Sequence, residues 1–289
     1  MSDPVFVEDF EKLTWMTGKE FTKITEPGKF ETGPVNEEYF SKWRFKVFRI
    51  DPATKGATRV LTHTPGWEEP NFGYHLHTEE AFRIYGEGKM PDESYSGGIQ
   101  YNITRGGSYT YRPPGWVHDG STLTDSMSFL TNDGPATHQM APRELVGKNA
   151  MYPDDLTKAI GPRGYIKRLD TNLMPWVPIV NSDKNQYLSG YDNTSKISYK
   201  GLSRDIFTGA ETLLIKYDGG YSESNGGLTT GEVEIFVLEG DLRLFGKRFG
   251  KYAYAYVPRG YEVGSPQSET GCTFLIKSSH GTWFHSRRL

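Results

Sequence analysis

Two stretches of the chain resemble each other: residues 108–115 read SYTYRPPG and residues 253–260 read AYAYVPRG. In each copy tyrosine alternates with smaller side chains, which is the period-two pattern of a β-strand, and a Pro-x-Gly turn follows. The similarity extends to residues 56–86 and 209–240, which both open on Gly-Ala, carry Glu-x-Phe and end in glycine. The two copies lie about 150 residues apart, far beyond the ~20–50 residues of a solenoid repeat. The chain is therefore predicted to contain a duplicated domain.

The predicted fold class is all-β: two tandem barrels of the jelly-roll type with few short helices. Strands of about five residues, separated by turn residues, are typical of such barrels. The 33 glycines and 17 prolines are dispersed along the 289 residues, which indicates many turns. The predicted domains are an N-terminal barrel with an extension (1–133), a connecting segment (134–163) and a C-terminal barrel (164–289). The predicted helices are residues 36–43, 143–149 and 154–160.

Charge and composition argue against several classes of partner. Lys and Arg number 33 against 36 Asp and Glu, a net charge of −3, whereas a general nucleic-acid binder needs a basic surface. No stretch approaches the ~18 apolar residues of a membrane span, and the first residues lack the pattern of a secretory signal. The single cysteine, Cys272, rules out an intramolecular disulfide and a thiolate zinc site. We therefore expect a cytoplasmic protein with a buried core thiol.

Three of the seven histidines have a spacing that suits a metal ion. His75 and His77 are two residues apart, so on a strand their imidazoles would share one face. His118 ends the pattern Gly107-x5-Pro113-x-Gly115-x2-His118, whose turn could return a third imidazole. Imidazole binds Fe, Zn, Ni, Cu and Mn. One divalent metal ion per chain is therefore predicted, bound in the first barrel.

These motifs resemble those of the cupin superfamily. His75-Leu76-His77, followed by Glu80 and Gly86, is similar to the first cupin motif, and Gly107 through His118 fits the second. The resemblance covers residues 56–130 and 209–277 and implies two cupin barrels in one chain, a bicupin.

The carboxylate ligand of the family pattern is displaced in this chain. The expected positions hold Ala81 and Phe82, which cannot coordinate a metal, while Glu79 and Glu80 lie just before them. If Glu79 faced inward, strand parity would bury Arg83, which is costly without a partner. This argument favours Glu80 as the ligand. Glu79, or a site of three histidines without a carboxylate, stays open.

The second copy lacks the histidines. Aligned on Gly66 and Gly219, the positions of the three first-barrel ligands are occupied by Leu228, Thr230 and Val263. A C-terminal barrel without metal is therefore predicted.

The resemblance extends to cupin dioxygenases that cleave acetylacetone and dihydroxyacetophenone. It implies an Fe(II)-dependent enzyme that uses dioxygen to cleave a carbon–carbon bond of a small enolisable or phenolic substrate in a largely apolar pocket. Glu80, Tyr109 and Trp116 are the candidate catalytic residues beside the metal. Two alternatives remain: a non-oxidative lyase, isomerase or hydrolase with Zn, Mn or Ni, and a non-catalytic metal- or ligand-sensing bicupin similar to the cupin part of some anti-sigma factors.

Further expectations concern the surroundings of the site and the oligomer. Phe72 and Phe82 could provide an apolar wall, and His63 is expected at the surface. Arg83 and Arg112 could pair with an anionic substrate, although outward-facing salt bridges are the expected arrangement. A homodimer is predicted, in which residues 1–45 add an edge strand to the partner's sheet.

Overall fold

The computed structural model describes residues 3–25, 41–68, 73–91, 101–135, 139–140, 161–179, 196–224, 226–281 and 284–286. Strands dominate this part of the chain. Phe72 and the predicted helices 143–149 and 154–160 lie outside the described residues. The predicted helix 36–43 lies partly outside them, and Trp43 already starts a strand. Helix α1 (Gly18–Thr25) was not predicted, and short 3-10 turns form at Phe10–Lys12 and Thr171–Leu173.

The strands up to residue 140 are β1 (Val5–Val7), β2 (Met16–Thr17), β3 (Trp43–Ile50), β4 (Ala57–His63), β5 (Gly73–Tyr74), β6 (Glu79–Tyr85), β7 (Gly88–Pro91), β8 (Tyr101–Thr104), β9 (Ser108–Arg112), β10 (Ser121–Thr122), β11 (Ser126–Asn132) and β12 (Gln139–Met140). The later strands are β13 (Ile166–Asp170), β14 (Val177–Pro178), β15 (Ile197–Arg204), β16 (Glu211–Tyr217), β17 (Tyr221–Ser222), β18 (Gly227–Thr229), β19 (Val233–Gly240), β20 (Leu242–Leu244), β21 (Lys247–Phe249), β22 (Tyr254–Val257), β23 (Gln267–Ser268), β24 (Cys272–Ser278) and β25 (Phe284–Ser286).

The chain forms two compact units, and their limits differ from the predicted ones. The first unit is Leu13–Asn172, and the second is Met1–Lys12 together with Leu173–Leu289. Strand β13 pairs with β9 and so belongs to the first unit, although it follows the predicted connecting segment. Strand β1 pairs with β22 of the second unit. The N-terminal extension is thus divided between the units.

Each unit is built around one seven-stranded antiparallel sheet. The strand order is β13-β9-β6-β11-β4-β3-β2 in the first unit and β1-β22-β19-β24-β16-β15-β14 in the second. Smaller sheets, β10-β7-β8 and β12-β5 in the first unit, and β17-β23-β20-β21 and β18-β25 in the second, accompany the large ones. The central five strands follow the same order in both units. The predicted all-β fold with a duplicated jelly roll is therefore confirmed.

The glycine that ends each repeated segment is required by close backbone contact. Gly86 has a φ of +87° and Gly240 a φ of +80°, which side-chain-bearing residues rarely adopt. A Cβ atom would lie 2.3 Å from the carbonyl oxygen of Asp125 at the first position and 1.8 Å from that of Gly271 at the second. Gly86 directly follows β6, and Gly240 is the last residue of the equivalent strand β19.

The second unit encloses a continuous apolar core. Its largest cluster contains buried residues from all the central strands, among them Leu213, Ile215, Val233, Val237 and Phe274, each at most 4% exposed. The first unit has a smaller cluster, Phe21, Phe45, Ala57, Leu61 and Leu130, beside a cavity. The two copies share their backbone order but not their interior.

In the described part of the chain, no helix has the length and hydrophobicity needed to cross a bilayer.

Candidate metal centre

A pair of backbone contacts brings the two histidine motifs together. Gly73, in β5, and His118 exchange N–H···O bonds of 2.8 and 2.9 Å. The Gly115 N–H donates to the carbonyl oxygen of His75 at 2.6 Å. The Pro-x-Gly turn after β9 is therefore bonded directly to the segment that carries His75 and His77. This is the return of a third histidine that the spacing predicts.

The three imidazoles lie side by side. The ring centroid of His75 is 4.6 Å from that of His77 and 4.8 Å from that of His118. His75 and His77 follow β5 in a bend and are not on a strand, contrary to the expectation. Leu76, between them, is 55% exposed, whereas His77 is only 5% exposed. Both rings nevertheless line the same cavity.

One backbone contact sets the ring orientation of His118. Its Nδ1 lies 2.8 Å from the carbonyl oxygen of Trp116. Because a carbonyl only accepts, Nδ1 carries the hydrogen in the neutral ring, which leaves the lone pair on Nε2. Metal-binding histidines commonly donate their second N–H in this way.

Glu79, the first residue of β6, completes the cluster. Its Oε2 lies 3.5 Å from Nε2 of His75, and its Oε1 accepts a hydrogen bond from Nη1 of Arg112. Burial acts to raise the pKa of the Glu79 carboxyl, but Arg112 and the three histidines together hold it well below its usual range. Glu79 is therefore a buried carboxylate in the ionised form that a metal ligand needs.

The donor set fits a divalent transition metal. One ligand atom each from His75, Glu79 and His118 lies within 4.8 Å of the others. Ligands of a single ion are at most about 4.4 Å apart, because metal–N and metal–O bonds are about 2.0–2.2 Å long. A small side-chain adjustment would close that difference. His77 lines the same cavity next to this group.

The prediction that Glu80 faces the histidines is wrong. Glu80 lies on the opposite face of the sheet, where its Oε1 accepts hydrogen bonds from the Tyr109 hydroxyl at 3.1 Å and from Nη1 of Arg163. The parity argument assumed that Arg83 must face outward. Instead, Arg83 faces the cavity with Glu79 and Ala81, so this face of β6 accepts a half-buried cation.

The two aromatic candidates are also outside the cavity. Tyr109 is 1% exposed, and its hydroxyl is engaged by Glu80. The ring of Trp116 stacks on that of Tyr165, with 3.9 Å between centroids. Trp116 contributes its carbonyl oxygen to His118, not its indole to a substrate. Neither side chain lines the cavity that the histidines face.

This cavity has a volume of about 170 Å³. Drug-sized ligands occupy pockets of roughly 300–1,000 Å³, so the cavity suits a small molecule. One part of its wall is apolar: Phe21, Trp43, Phe45, Leu61, Trp67 and Leu130. The rest carries charged side chains besides the histidines: Arg59, Arg83, Lys89, Arg112, Glu79 and Asp119. The wall is thus apolar over much of its area, but it carries more charged groups than the few that were expected.

Three of the lining residues were missed or misplaced by the sequence analysis. His63 lies in the cavity wall and not at the surface, with its ring 4.0 Å from that of Trp67. Burial, with a smaller effect of the Arg83 charge, lowers the pKa of His63 to about 3, so the ring is neutral. Burial and the charge of Glu68 raise the pKa of Asp119 to about 6.

Arg59 is only 5% exposed. The alternation Arg59-x-Leu61-x-His63 on β4 was the available signal for two of them.

The second unit lacks a comparable group at the same positions. The Gly260 N–H donates to the carbonyl oxygen of Thr229, and in the first unit the Gly115 N–H donates to that of His75. His75 is therefore equivalent to Thr229 and not to Leu228, so the predicted alignment of the histidine pair is shifted by one residue. The equivalent positions are His75 and Thr229, His77 and Gly231, Glu79 and Val233, and His118 and Val263. Val233 and Val263 are fully buried in the apolar core. These four positions therefore lack imidazole and carboxylate ligands, and a second barrel without metal stays a prediction.

Comparison with known proteins finds similarity in structure only. No family model matches the chain, and no curated protein matches it in sequence. A crystal structure from Nostoc punctiforme, named a "putative dioxygenase", superposes with a TM-score of 0.70 at 16% identity, over 96% of this chain and 83% of that one. A mutant of Bacillus subtilis oxalate decarboxylase gives 0.52 at 16% identity, over 83% and 73%. Another structure of that decarboxylase, described by its Mn(II) centres, gives 0.51 at the same identity and coverage.

These likenesses establish the fold. Together with the two equivalent sheets, they show that the chain has the two-barrel cupin fold. At 16% identity they do not transfer an activity, because one fold supports many chemistries.

Proposed function

We propose that this chain is a metal-dependent enzyme whose divalent ion is bound in the first barrel by His75, Glu79 and His118. The convergence of these three side chains within 4.8 Å on the wall of one cavity carries the proposal. His77 is proposed as the fourth ligand. All four of these ligands are absent together at the equivalent positions of the second barrel. Their joint absence supports the view that the four side chains of the first barrel bind one ion together.

The chain's own residues would have separate tasks around such an ion. Arg112 holds Glu79 in place and keeps it ionised, and the Trp116 carbonyl orients His118. The aromatic wall, including Trp67, limits the access of water to a bound substrate. When bound, a divalent ion at these residues would bind a chelating substrate and polarise it as a Lewis acid.

For the reaction we propose a dioxygenase with Fe(II), acting with dioxygen on a small enolisable or phenolic substrate. The name of the Nostoc neighbour and a ligand set rich in imidazole support this choice. A non-oxidative reaction with Mn is the second candidate, since the oxalate decarboxylase neighbour is described with Mn(II) centres. A metal-sensing protein without turnover is the third.

Two adjacent carboxylates give a matched test of the centre. We expect anaerobically purified protein to hold about one metal ion per chain by plasma mass spectrometry. Glu79→Gln should weaken metal binding at least about tenfold, because it removes a charged ligand. Glu80→Gln should leave it unchanged, because Glu80 lies on the other face of β6. Equal metal binding by both variants would contradict the assignment of Glu79.

A second variant separates metal loss from misfolding. His118→Gln leaves the Arg112–Glu79 ion pair intact, so its thermal unfolding should resemble that of wild type without metal while its metal content falls. Oxygen uptake with diketones and phenols then divides the candidates. Uptake that depends on iron supports the dioxygenase, whereas turnover without oxygen supports the non-oxidative enzyme. A protein that keeps no metal after reconstitution would refute the metal centre.

A further inference from the structure

The described part of the cavity wall carries more positive than negative charge. Four side chains are cationic, Arg59, Arg83, Lys89 and Arg112, and two are carboxylic, Glu79 and Asp119. Arg112 is paired with Glu79, and Arg59 donates to the amide oxygen of Asn132 and lies over the rings of Phe21 and Phe45. An excess of cations along the wall of a cavity favours an anionic ligand.

Arg83, unlike Arg112, has no carboxylate partner among the described residues, and unlike Arg59 it has no amide acceptor there either. Its Nη1 is buried and has no hydrogen-bond acceptor in that part of the chain. The guanidinium lies against Gly88, where a Cβ atom would be only 3.0 Å from Nη2. Burial and the charge of Arg112 lower the pKa of Arg83 to about 10, so it stays charged at neutral pH. Arg83 is half-buried, and withdrawing part of a guanidinium from water without a counterion is costly.

The duplicate barrel shows that the fold does not require these cations. By strand register, Arg59 corresponds to Leu213, Arg83 to Val237 and Arg112 to Val257. The three aliphatic residues are at most 4% exposed and belong to one apolar core. The same backbone positions are thus filled at no electrostatic cost in the second unit. The cations of the first unit therefore need an explanation other than folding, and a ligand provides one.

Arg83 and the metal candidates occupy separate places along the same wall. Glu79 and Arg83 share a face of β6 and are four residues apart, so their Cα atoms are separated by about 13 Å at 3.3 Å per residue. A small ligand lying between them can contact both. A guanidinium binds a carboxylate through two parallel N–H···O bonds, a geometry that also fixes the ligand's orientation.

We infer that the substrate is a small carboxylate whose anionic group is bound by Arg83, while its reacting end faces His75, Glu79 and His118. This inference rests on the proposed function and specifies its substrate class. Arg83 is then a specificity-determining residue. A neutral molecule of the same shape would leave its guanidinium unpaired and bind more weakly.

Acetoacetate and acetylacetone are matched probes, because they differ mainly in a carboxylate against a methyl ketone. Isothermal titration of the metal-loaded protein without oxygen should show acetoacetate binding at least about tenfold more tightly. Arg83→Met should abolish this preference and keep the metal content. Arg105→Met, at an exposed position outside the cavity, is the matched control and should keep both. If Arg83→Met does not fold, Arg83→Lys is the substitute. It retains the charge but not the two parallel N–H donors, so it should lower the preference for acetoacetate severalfold.

The outcomes separate this inference from the proposed function. Equal binding of the two probes by metal-loaded wild type, or an unchanged preference in Arg83→Met, overturns the carboxylate inference and leaves the metal centre standing. A protein that takes up no metal but prefers acetoacetate through Arg83 overturns the metal centre and supports the anion site.

Discussion

Two neighbouring glutamates illustrate how a one-residue difference decides a role. Glu79 faces the cavity with His75 and Arg112, and Glu80 faces the other side of the sheet with Tyr109 and Arg163. Successive side chains of a strand alternate between faces, so the two carboxylates cannot share a site. Each is paired with its own arginine, which is the condition under which a carboxylate remains buried.

The single thiol provides a prediction at the same scale. Cys272 is 3% exposed in β24, and burial together with the Asp241 carboxylate raises the pKa of its thiol far above the ordinary value. Because the thiolate is the reactive form, the native protein should react with a disulfide reagent at least about a hundredfold more slowly than the unfolded chain. Absorbance with Ellman's reagent measures this, and one thiol per chain should appear in guanidinium. Rapid labelling of native protein would contradict the burial of Cys272.

At the scale of elements, the outer face of the first sheet fixes the segment that precedes β13. Arg163 pairs with Glu80 and lies over the ring of Tyr111, with 5.3 Å from Cζ to the ring centroid. Tyr165 stacks on Trp116. Residues 163 and 165 are therefore tied to β6, β9 and the turn that carries His118. Strands β6 and β9 thus hold the candidate metal ligands on one face of the sheet and the segment before β13 on the other.

Arg163→Met should destabilise the first unit. The substitution leaves the Glu80 carboxylate buried without its cation, and breaking a buried ion pair costs about 3–5 kcal/mol. We expect a loss of about 3 kcal/mol in the free energy of unfolding, measured by urea denaturation with tyrosine and tryptophan fluorescence. The double variant Arg163→Met with Glu80→Gln should recover part of this loss, because no unpaired carboxylate is then buried. A loss under about 0.5 kcal/mol would mean that water replaces the arginine.

At the scale of the whole chain, duplication has produced two barrels with different interiors. Positions that hold Glu79, Arg83 and His118 in the first unit hold Val233, Val237 and Val263 in the second. The second barrel gains a continuous apolar core, and the first exchanges part of its core for a cavity with charged walls. The proposed activity therefore resides in one unit.

The N-terminal strand gives a prediction at this scale. Strand β1 covers the edge of the second sheet beside β22, with the Phe6 ring 5.9 Å from those of Phe245 and Tyr261. In this single chain β1 pairs with β22. The homodimer and the strand contributed by residues 1–45 stay predictions. Deleting residues 1–8 should lower the melting temperature by several degrees and promote association through the exposed edge.

Calorimetry and light scattering measure the two effects. Deletion of residues 1–4, which leaves β1 intact, is the matched control and should behave like wild type. If the chain without residues 1–8 has the melting temperature and the light scattering of the full chain, β1 adds no stability.

The duplication, the all-β class and the three histidines were all accessible from the sequence, because strand period, turn residues and motif spacing are local properties. The face of β6 was not. Whether Glu79 or Glu80 lies inside depends on where Arg83 can be accommodated, and the Gly88 backbone and the cavity wall provide that place only after the sheets have closed. Likewise, β1 is three residues long and finds its partner some 250 residues away, a pairing that no local pattern encodes. Composition and periodicity determined the two barrels, and tertiary packing decided which charges face the cavity.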